Sequence, residues 1–296
     1  MAIQSALRGI TCPIVTPFDD NAVDESALES LLEHVQTGAD AVFPCGTTGE
    51  FASLAPDERR RVLEATVDRA DVPVVAGAGA TSVEETVGSV ADAAAAGADA
   101  AVIVPPYFHT ANAPAGNRRF FEAVADRASL PLLLYNIPQC TGRRIDPETV
   151  AAVADHDRIA GLKDSSGDLE YFLSIQRRTP EDFLCLQGYD ALLVPALRMG
   201  ADGGVNALSN ALPECFAEAV ERAHDDRGVE LQREAITPVF EACTEFGFAP
   251  AAKAALVHRG VLPTDDVRPP LVAIDDSSTL ETAVDRALEV AGTERD

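Results

Sequence analysis

The chain has 296 residues, 47% of them hydrophobic, and a formal net charge of −25. That length suits one large domain with ample material for a core, and no stretch approaches the ~18 uninterrupted apolar residues of a membrane span. The acids are spread along the whole chain, a field that repels nucleic acid and anionic membranes, so neither is an expected partner.

The N-terminus, "MAIQSALRGITCP", lacks a basic start and a long apolar signal core, so a cytoplasmic location is expected. Six cysteines (12, 45, 140, 185, 215, 243) are scattered without a CxxC pair or a neighbouring His cluster. This argues against a zinc site or disulfide scaffold and for a reducing compartment. Only two of the 23 basic residues are lysines, Lys163 and Lys253. Scarce lysine, abundant alanine and diffuse acidity match adaptation to molar salt, where a Debye length of ~3 Å screens self-repulsion.

Short apolar runs alternate with longer polar-faced segments. The first four runs are "CPIVTP" (12–17), "DAVFPC" (40–45), "VPVVAGAG" (72–79) and "ADAAVIVPP" (98–106). "LPLLLYNIP" (130–138), "RIAGLKD" (158–164), "DFLCLQG" (182–188) and "ADGGVNAL" (201–208) complete the series. Runs apolar on both faces predict a parallel sheet covered on both sides. The segments between them predict helices: one capped by Asp24 and stopped near Gly38, one opening on Pro56, one capped by Ser82 with Glu85 three positions on. The helix exit "TGAD" (37–40) recurs as "AGAD" (96–99) and "MGAD" (199–202), marking a repeated unit.

Eight such units in roughly 210 residues predict an α/β fold, a (β/α)₈ TIM barrel, in preference to an open doubly wound sheet. "GAGATS" (77–82) lacks the third glycine of a dinucleotide fingerprint. From about residue 212 the pattern is helical, near 212–226, 229–246, 249–259 and 277–292. We therefore draw the barrel over 1–226 and a C-terminal helical extension packed on it over 227–296.

Barrel active sites sit at the C-terminal strand ends. Those ends carry "GTTGE" (46–50), "PPYFH" (105–109), "YNIP" (135–138), Lys163, "GYD" (188–190) and "NALSN" (206–210). Delivered to an apolar rim, Lys163 would lose affinity for its proton, and its lone pair could attack a carbonyl to form an imine. The competing reading pairs it with Asp164 or makes it a strand cap. Arginine would serve as well in an ion pair, and the chain uses arginine almost everywhere, so the nucleophile is preferred. Lys253, in "APAAKAALVHRG", reads as a packing or surface residue.

Imine chemistry needs a proton shuttle, and Tyr135, one of four tyrosines, ends the adjacent strand. Thr47 or Thr48 could partner its hydroxyl, and the small residues around them expose backbone N–H groups to a carboxylate. No strand end offers a metal-ligand cluster, GxSxG is absent, and the only strand-end His is His109. No metal and no cofactor are expected.

In their order, "PIVTPF" (13–18), "GTTGE", "PPYF" (105–108), "YNIP", "GLKDSSGD" (161–168) and "GADGGVNALSN" (200–210) resemble the dihydrodipicolinate synthase / N-acetylneuraminate lyase family of class I, pyruvate-handling aldolases. The resemblance covers nearly the whole chain. It implies that Lys163 forms the imine with pyruvate, that Tyr135 transfers the proton, and that Thr47 hydrogen-bonds the phenol while Thr48 holds the pyruvate carboxylate. It also implies that Gly188 and Val205 line the pyruvate pocket, and that the protein is a homotetramer built from dimers.

Members differ in the second substrate. The synthases carry an arginine two residues after "YNxP" to bind the aldehyde's carboxylate, and a second tyrosine after "P-Y" to extend the proton relay. Here Cys140 and Phe108 occupy those positions, with Arg143 and Arg144 as the nearest basic residues in sequence. "QGYDALLVPALRMGADGGVNALSNALPE" is similar to the sugar-acid branch, although Ala191 stands where sialate lyases carry an acid. The expected activity is therefore reversible cleavage of a 2-keto-3-deoxy sugar acid to pyruvate and an aldehyde, with Asp190, Ser209 and Asn210 as candidate hydroxyl binders. The alternatives are 4-hydroxy-tetrahydrodipicolinate synthase (pyruvate plus aspartate semialdehyde), a keto-sugar-acid dehydratase using the same imine, and a barrel that binds a keto acid without turnover.

Overall fold

A computed structural model of the chain describes residues 2–109 and 113–292. Eight short parallel strands form one sheet: β1 (Ile10–Cys12), β2 (Ala41–Val42), β3 (Val75–Gly77), β4 (Ala100–Ile103), β5 (Leu132–Asn136), β6 (Ile159–Asp164), β7 (Leu184–Gln187) and β8 (Gly203–Val205). Their spatial order is β2-β1-β8-β7-β6-β5-β4-β3. A parallel bridge between Val42 and Val74, with Val42 N–H donating to the Pro73 carbonyl at 3.0 Å, closes β2 onto β3. The barrel is thus nearly continuous.

Eight helices follow the strands in turn. They are α1 (Glu25–Val35), α2 (Pro56–Arg69), α3 (Val83–Ala96), α4 (Pro114–Ala125), α5 (Pro147–Val153), α6 (Leu169–Gln176), α7 (Leu193–Arg198) and α8 (Pro213–Glu221). The predicted starts are present. Asp24 accepts from the amides of Ser26 and Ala27, and Ser82 accepts from Glu85 N–H, each such cap contributing about 1 kcal/mol.

The repeated helix exit has a physical basis. Asp40, Asp99 and Asp202 each accept, through a side-chain oxygen, the amide of a residue at the start of the neighbouring strand: Ile10, Val74 and Cys185, at 2.8, 2.9 and 2.8 Å. Each aspartate's own amide returns a bond to the same residue's carbonyl. Gly97 and Gly200 turn the chain into these latches at φ of 96° and 93°. Gly38 has another reason to lack a side chain, since a Cβ there would lie 2.2 Å from the Pro213 carbonyl.

One expectation needs correcting. The first strand is Ile10–Cys12, and "CPIVTP" lies almost wholly beyond it. Pro13 has no N–H to give a ladder, so the strand ends before it.

Strand alternation separates two kinds of interior. Phe43, Val75, Val102, Leu133, Tyr135, Leu184, Leu186 and Val205 meet inside the barrel. Leu132, Leu134 and Leu162 face outward against Phe121, Phe172 and Ile175 of the helix layer. After α8 come α9 (Asp226–Glu230), a π-helical turn (Leu231–Ile236), α10 (Thr237–Phe246), α11 (Phe248–His258) and α12 (Ser278–Ala291). They bury Phe240, Val284 and Leu288 in one cluster with Leu193, Leu212 and Phe216 of the barrel. Among the described residues no helix is long and apolar enough to cross a membrane.

Candidate active site

β5 and β6 pair in register, with Tyr135 opposite Lys163 and Asn136 opposite Asp164. Alternation therefore turns Tyr135 and Lys163 into the barrel and sends their successors outward. Asp164 is taken up there, accepting from the Asn136 amide at 2.7 Å and from the Ser166 hydroxyl at 2.9 Å. It does not pair with Lys163. Among the described residues, no carboxylate oxygen lies within 4.0 Å of the Lys163 amine.

Lys163 is 4% exposed, and its Nζ lies 4.2 Å from the ring centroid of Tyr135 and 5.1 Å from that of Phe43. Ring faces compensate an ammonium weakly compared with lost water. Burial therefore lowers its pKa from 10.5 to about 7, against the opposing pull of Asp190 and Cys140. At neutral pH a large share of the amines carries a free lone pair.

Burial pushes the Tyr135 phenol up, and the hydroxyls of Ser165 and Thr47 beside it offset part of the rise. The phenol is thus a protonated donor with hydroxyl partners on two sides. Ser165 in turn donates to the Gly188 carbonyl at 2.9 Å, and Gly188 N–H donates to the Asp164 carbonyl at 2.7 Å. A Cβ at 188 would fall 2.3 Å from Ser165 Oγ and 2.8 Å from Lys163 Cε, so any larger residue would displace the Lys163 side chain and its neighbour. The small size of Gly188 keeps the approach to the amine open.

The loop after β2 supplies the two threonines. Thr48 is buried and Thr47 stands at the lip. Thr16 Oγ1 donates to the Gly49 carbonyl at 2.8 Å, and Phe51 N–H closes the loop on the Gly46 carbonyl at 3.2 Å. Left-handed residues flank the loop, Cys45 at φ 57° and Glu50 at φ 54°.

The other expected residues separate. Val205 is buried in the interior cluster with Tyr135 and Phe43. Asp190 is 2% exposed, and its Oδ1 accepts from Leu208 N–H at 2.8 Å. Burial raises its pKa to about 6 despite that bond, so it acts on Lys163 as a nearby charge. Ser209 and Asn210, the candidate hydroxyl binders, are fully buried, and each bonds within the fold. Ser209 donates to the Asn206 carbonyl at 2.7 Å. Asn210 accepts from Val15 N–H at 3.0 Å and donates to the Pro13 and Ala207 carbonyls at 2.9 Å each. Asn210 braces the segment that follows β1, whereas Ser209 closes its own turn.

Two neighbours of the amine were not singled out from sequence: Phe43, whose ring walls the pocket, and Ser165, which joins the phenol to Gly188. Phe43 could have been found by alternation from Ala41, whereas "DSSGD" reads only as a polar run. Cys140 lies near enough to act electrostatically on both Lys163 and Tyr135.

An amine shielded from water beside a phenol with hydroxyl partners can condense with a ketone and move the protons that condensation requires. The sequence profile of the Dihydrodipicolinate synthetase family matches residues 6–289. The chain belongs to that family. It is 35% identical over 277 residues to a 4-hydroxy-tetrahydrodipicolinate synthase of Syntrophus aciditrophicus, covering 92% of this chain and 94% of that one. It is 36% identical over 288 residues to an uncharacterised DapA-like lyase of Halobacterium salinarum, covering 95% and 93%. The solved 4-hydroxy-tetrahydrodipicolinate synthase of Methylacidiphilum fumariolicum SolV superposes with a TM-score of 0.90 at 30% identity, over 96% of this chain and 97% of that one. Family membership makes the protein an enzyme of the class I, pyruvate-dependent aldolase group.

Proposed function

We propose that the protein reversibly cleaves a 2-keto-3-deoxy sugar acid to pyruvate and an aldehyde through an imine on Lys163. The neutral amine adds to the C2 carbonyl, and the carbinolamine loses water with a proton supplied by Tyr135. The cationic imine then draws in the electrons of the C3–C4 bond as a base removes the C4 hydroxyl proton. An aldehyde leaves, an enamine remains, C3 takes a proton, and water releases pyruvate. Thr47 supports the phenol in this scheme, and Thr48 with nearby loop amides holds the carboxylate. The observation that carries the chemistry is the Lys163 amine, 4% exposed and without an acidic partner among the described residues.

The choice of acceptor rests on the residues around Cys140. A carboxylated aldehyde asks for a guanidinium beside Tyr135, and a thiol stands there. Arg144 is engaged elsewhere, paired with Asp168 at 3.3 Å and lying over the ring of Tyr171 in the helix layer. A neutral, hydroxylated aldehyde makes no such demand. The names of the relatives favour a second reading, condensation of pyruvate with aspartate semialdehyde. The diffuse acidity and scarce lysine support work in a salt-rich cytoplasm, and the family habit supports a homotetramer.

Two measurements separate these readings. Pyruvate with borohydride should add a pyruvyl mass to Lys163; no added mass ends the imine scheme. A panel of five- and six-carbon deoxy-keto acids, phosphorylated and not, should release pyruvate from at least one member. Release from none, with product formed from pyruvate and aspartate semialdehyde, establishes the synthase.

A further inference from the structure

Lys253 and Glu50 form the most enclosed ion pair among the described residues: Nζ to Oε1 is 2.5 Å, and the side chains are 1% and 0% exposed. Lys253 lies on α11 of the C-terminal segment, whereas Glu50 ends the loop after β2, two residues beyond Thr48. The ammonium also donates to the Asp266 carbonyl at 2.6 Å and sits 4.1 Å from the ring centroid of Phe18. The second oxygen of Glu50 accepts from Arg268 N–H at 3.3 Å, and the Arg268 guanidinium forks onto Glu58 at 2.6 and 2.8 Å.

Desolvating two charges costs more than packing two apolar side chains of the same volume, so stability alone does not account for the pair. The backbone beside it supplies a reason. Glu50 adopts φ 54° and ψ 34°, a left-handed conformation unfavourable for a side chain with a Cβ, and Cys45 at the far end of the loop has φ 57°. Strain of this kind persists only where the surroundings fix it. The segment held between the two strained residues carries Thr47 and Thr48. Were Glu50 released to ordinary backbone angles, the loop would shift and carry the Thr47 hydroxyl away from the Tyr135 phenol.

We infer that Glu50 and Lys253 are positioning residues: their ion pair fixes the two threonine hydroxyls, which makes the C-terminal helices part of the active site. The inference rests on the imine function proposed above. Residue choice agrees with it, because a compact ammonium fits a pocket with a carboxylate, a carbonyl and a ring face around it, and a planar guanidinium does not. The chain keeps lysine here while using arginine at 21 of its 23 basic positions.

The test uses Glu50→Gln, Lys253→Met and the double variant, which leaves no orphaned charge and so folds even where a single variant does not. Two quantities are read on the full-length protein: the pyruvate concentration for half-maximal borohydride trapping on Lys163, and hydrogen exchange of residues 44–54. Expected for the double variant is an unchanged final extent of trapping, with half-saturating pyruvate raised about tenfold and the 46–51 amides exchanging faster. A folded double variant with the parent's half-saturation overturns the inference, since the pair then only fastens a helix to the barrel. A parent that traps no pyruvate refutes the imine function instead, and exchange alone then decides: parental exchange at 46–51 overturns the positioning role.

Discussion

Two lysine amines are buried in this protein, about the ends of the same loop, and they are treated oppositely. Lys163 lies beside two aromatic rings with no acid in contact among the described residues, whereas Lys253 has a carboxylate at 2.5 Å and a carbonyl at 2.6 Å. Burial lowers the proton affinity of both. Only at Lys253 does a contacting carboxylate oppose it. The contrast shows how one residue type yields a nucleophile or a structural cation, with the partner deciding which.

The sharpest way to break the contrast is Lys163→Arg. A permanently charged guanidinium cannot form the imine, so kcat/KM should fall at least about 10⁴-fold with the fold intact. Activity at the parent's level would end the nucleophile assignment. Next comes Tyr135→Phe, which keeps the ring against the amine and removes the proton. Its kcat should drop by about 10²–10³-fold, a size typical of a lost proton-transfer group, as single-turnover rates will show.

Stability should separate the two lysines by sign. Lys253→Met orphans a buried Glu50 charge and should cost about 3–5 kcal/mol. Lys163→Met removes an ammonium that folding desolvates without a partner, and should gain about 2–4 kcal/mol at pH 7. Between about pH 7 and 10.5 the unfolded chain binds more protons at Lys163 than the folded one, so the parent's stability there rises with pH. The gain from Lys163→Met should accordingly shrink across that window. Urea midpoints of parent and variants at pH 7 and pH 9.5 measure both effects. The smallest expected effect is electrostatic: Asp190 raises the proton affinity of Lys163, so Asp190→Asn should move the acidic limb of the kcat/KM profile, near pH 7, to lower pH. A limb that stays in place would remove Asp190 from the electrostatics of the amine.

Much of this was legible before any coordinates. Apolar runs and a thrice-repeated "GAD" specify the barrel because strand burial and helix exit are local properties, and each aspartate's partner is always one strand away. Lys163 and Tyr135 could be placed together because barrels expose strand ends at one rim. The residues that resisted reading depend on distant packing. Asn210 looks like a polar rim group, and only the proximity of Pro13 and Val15 shows that it is a brace. Lys253 reads from sequence as a packing or surface residue, although the rarity of lysine that singles out Lys163 applies to it equally. Its partner lies 203 positions earlier in the chain, a distance over which no local pattern carries information.

The aspartate latches join neighbouring strands where the helices lead into them, and none of the latch bonds involves Lys163 or Tyr135. Closure of the cylinder and choice of acceptor therefore depend on separate sets of residues. Loops around Cys140 and Phe108 can be randomised in search of new aldehydes while the staves stay hooped from below.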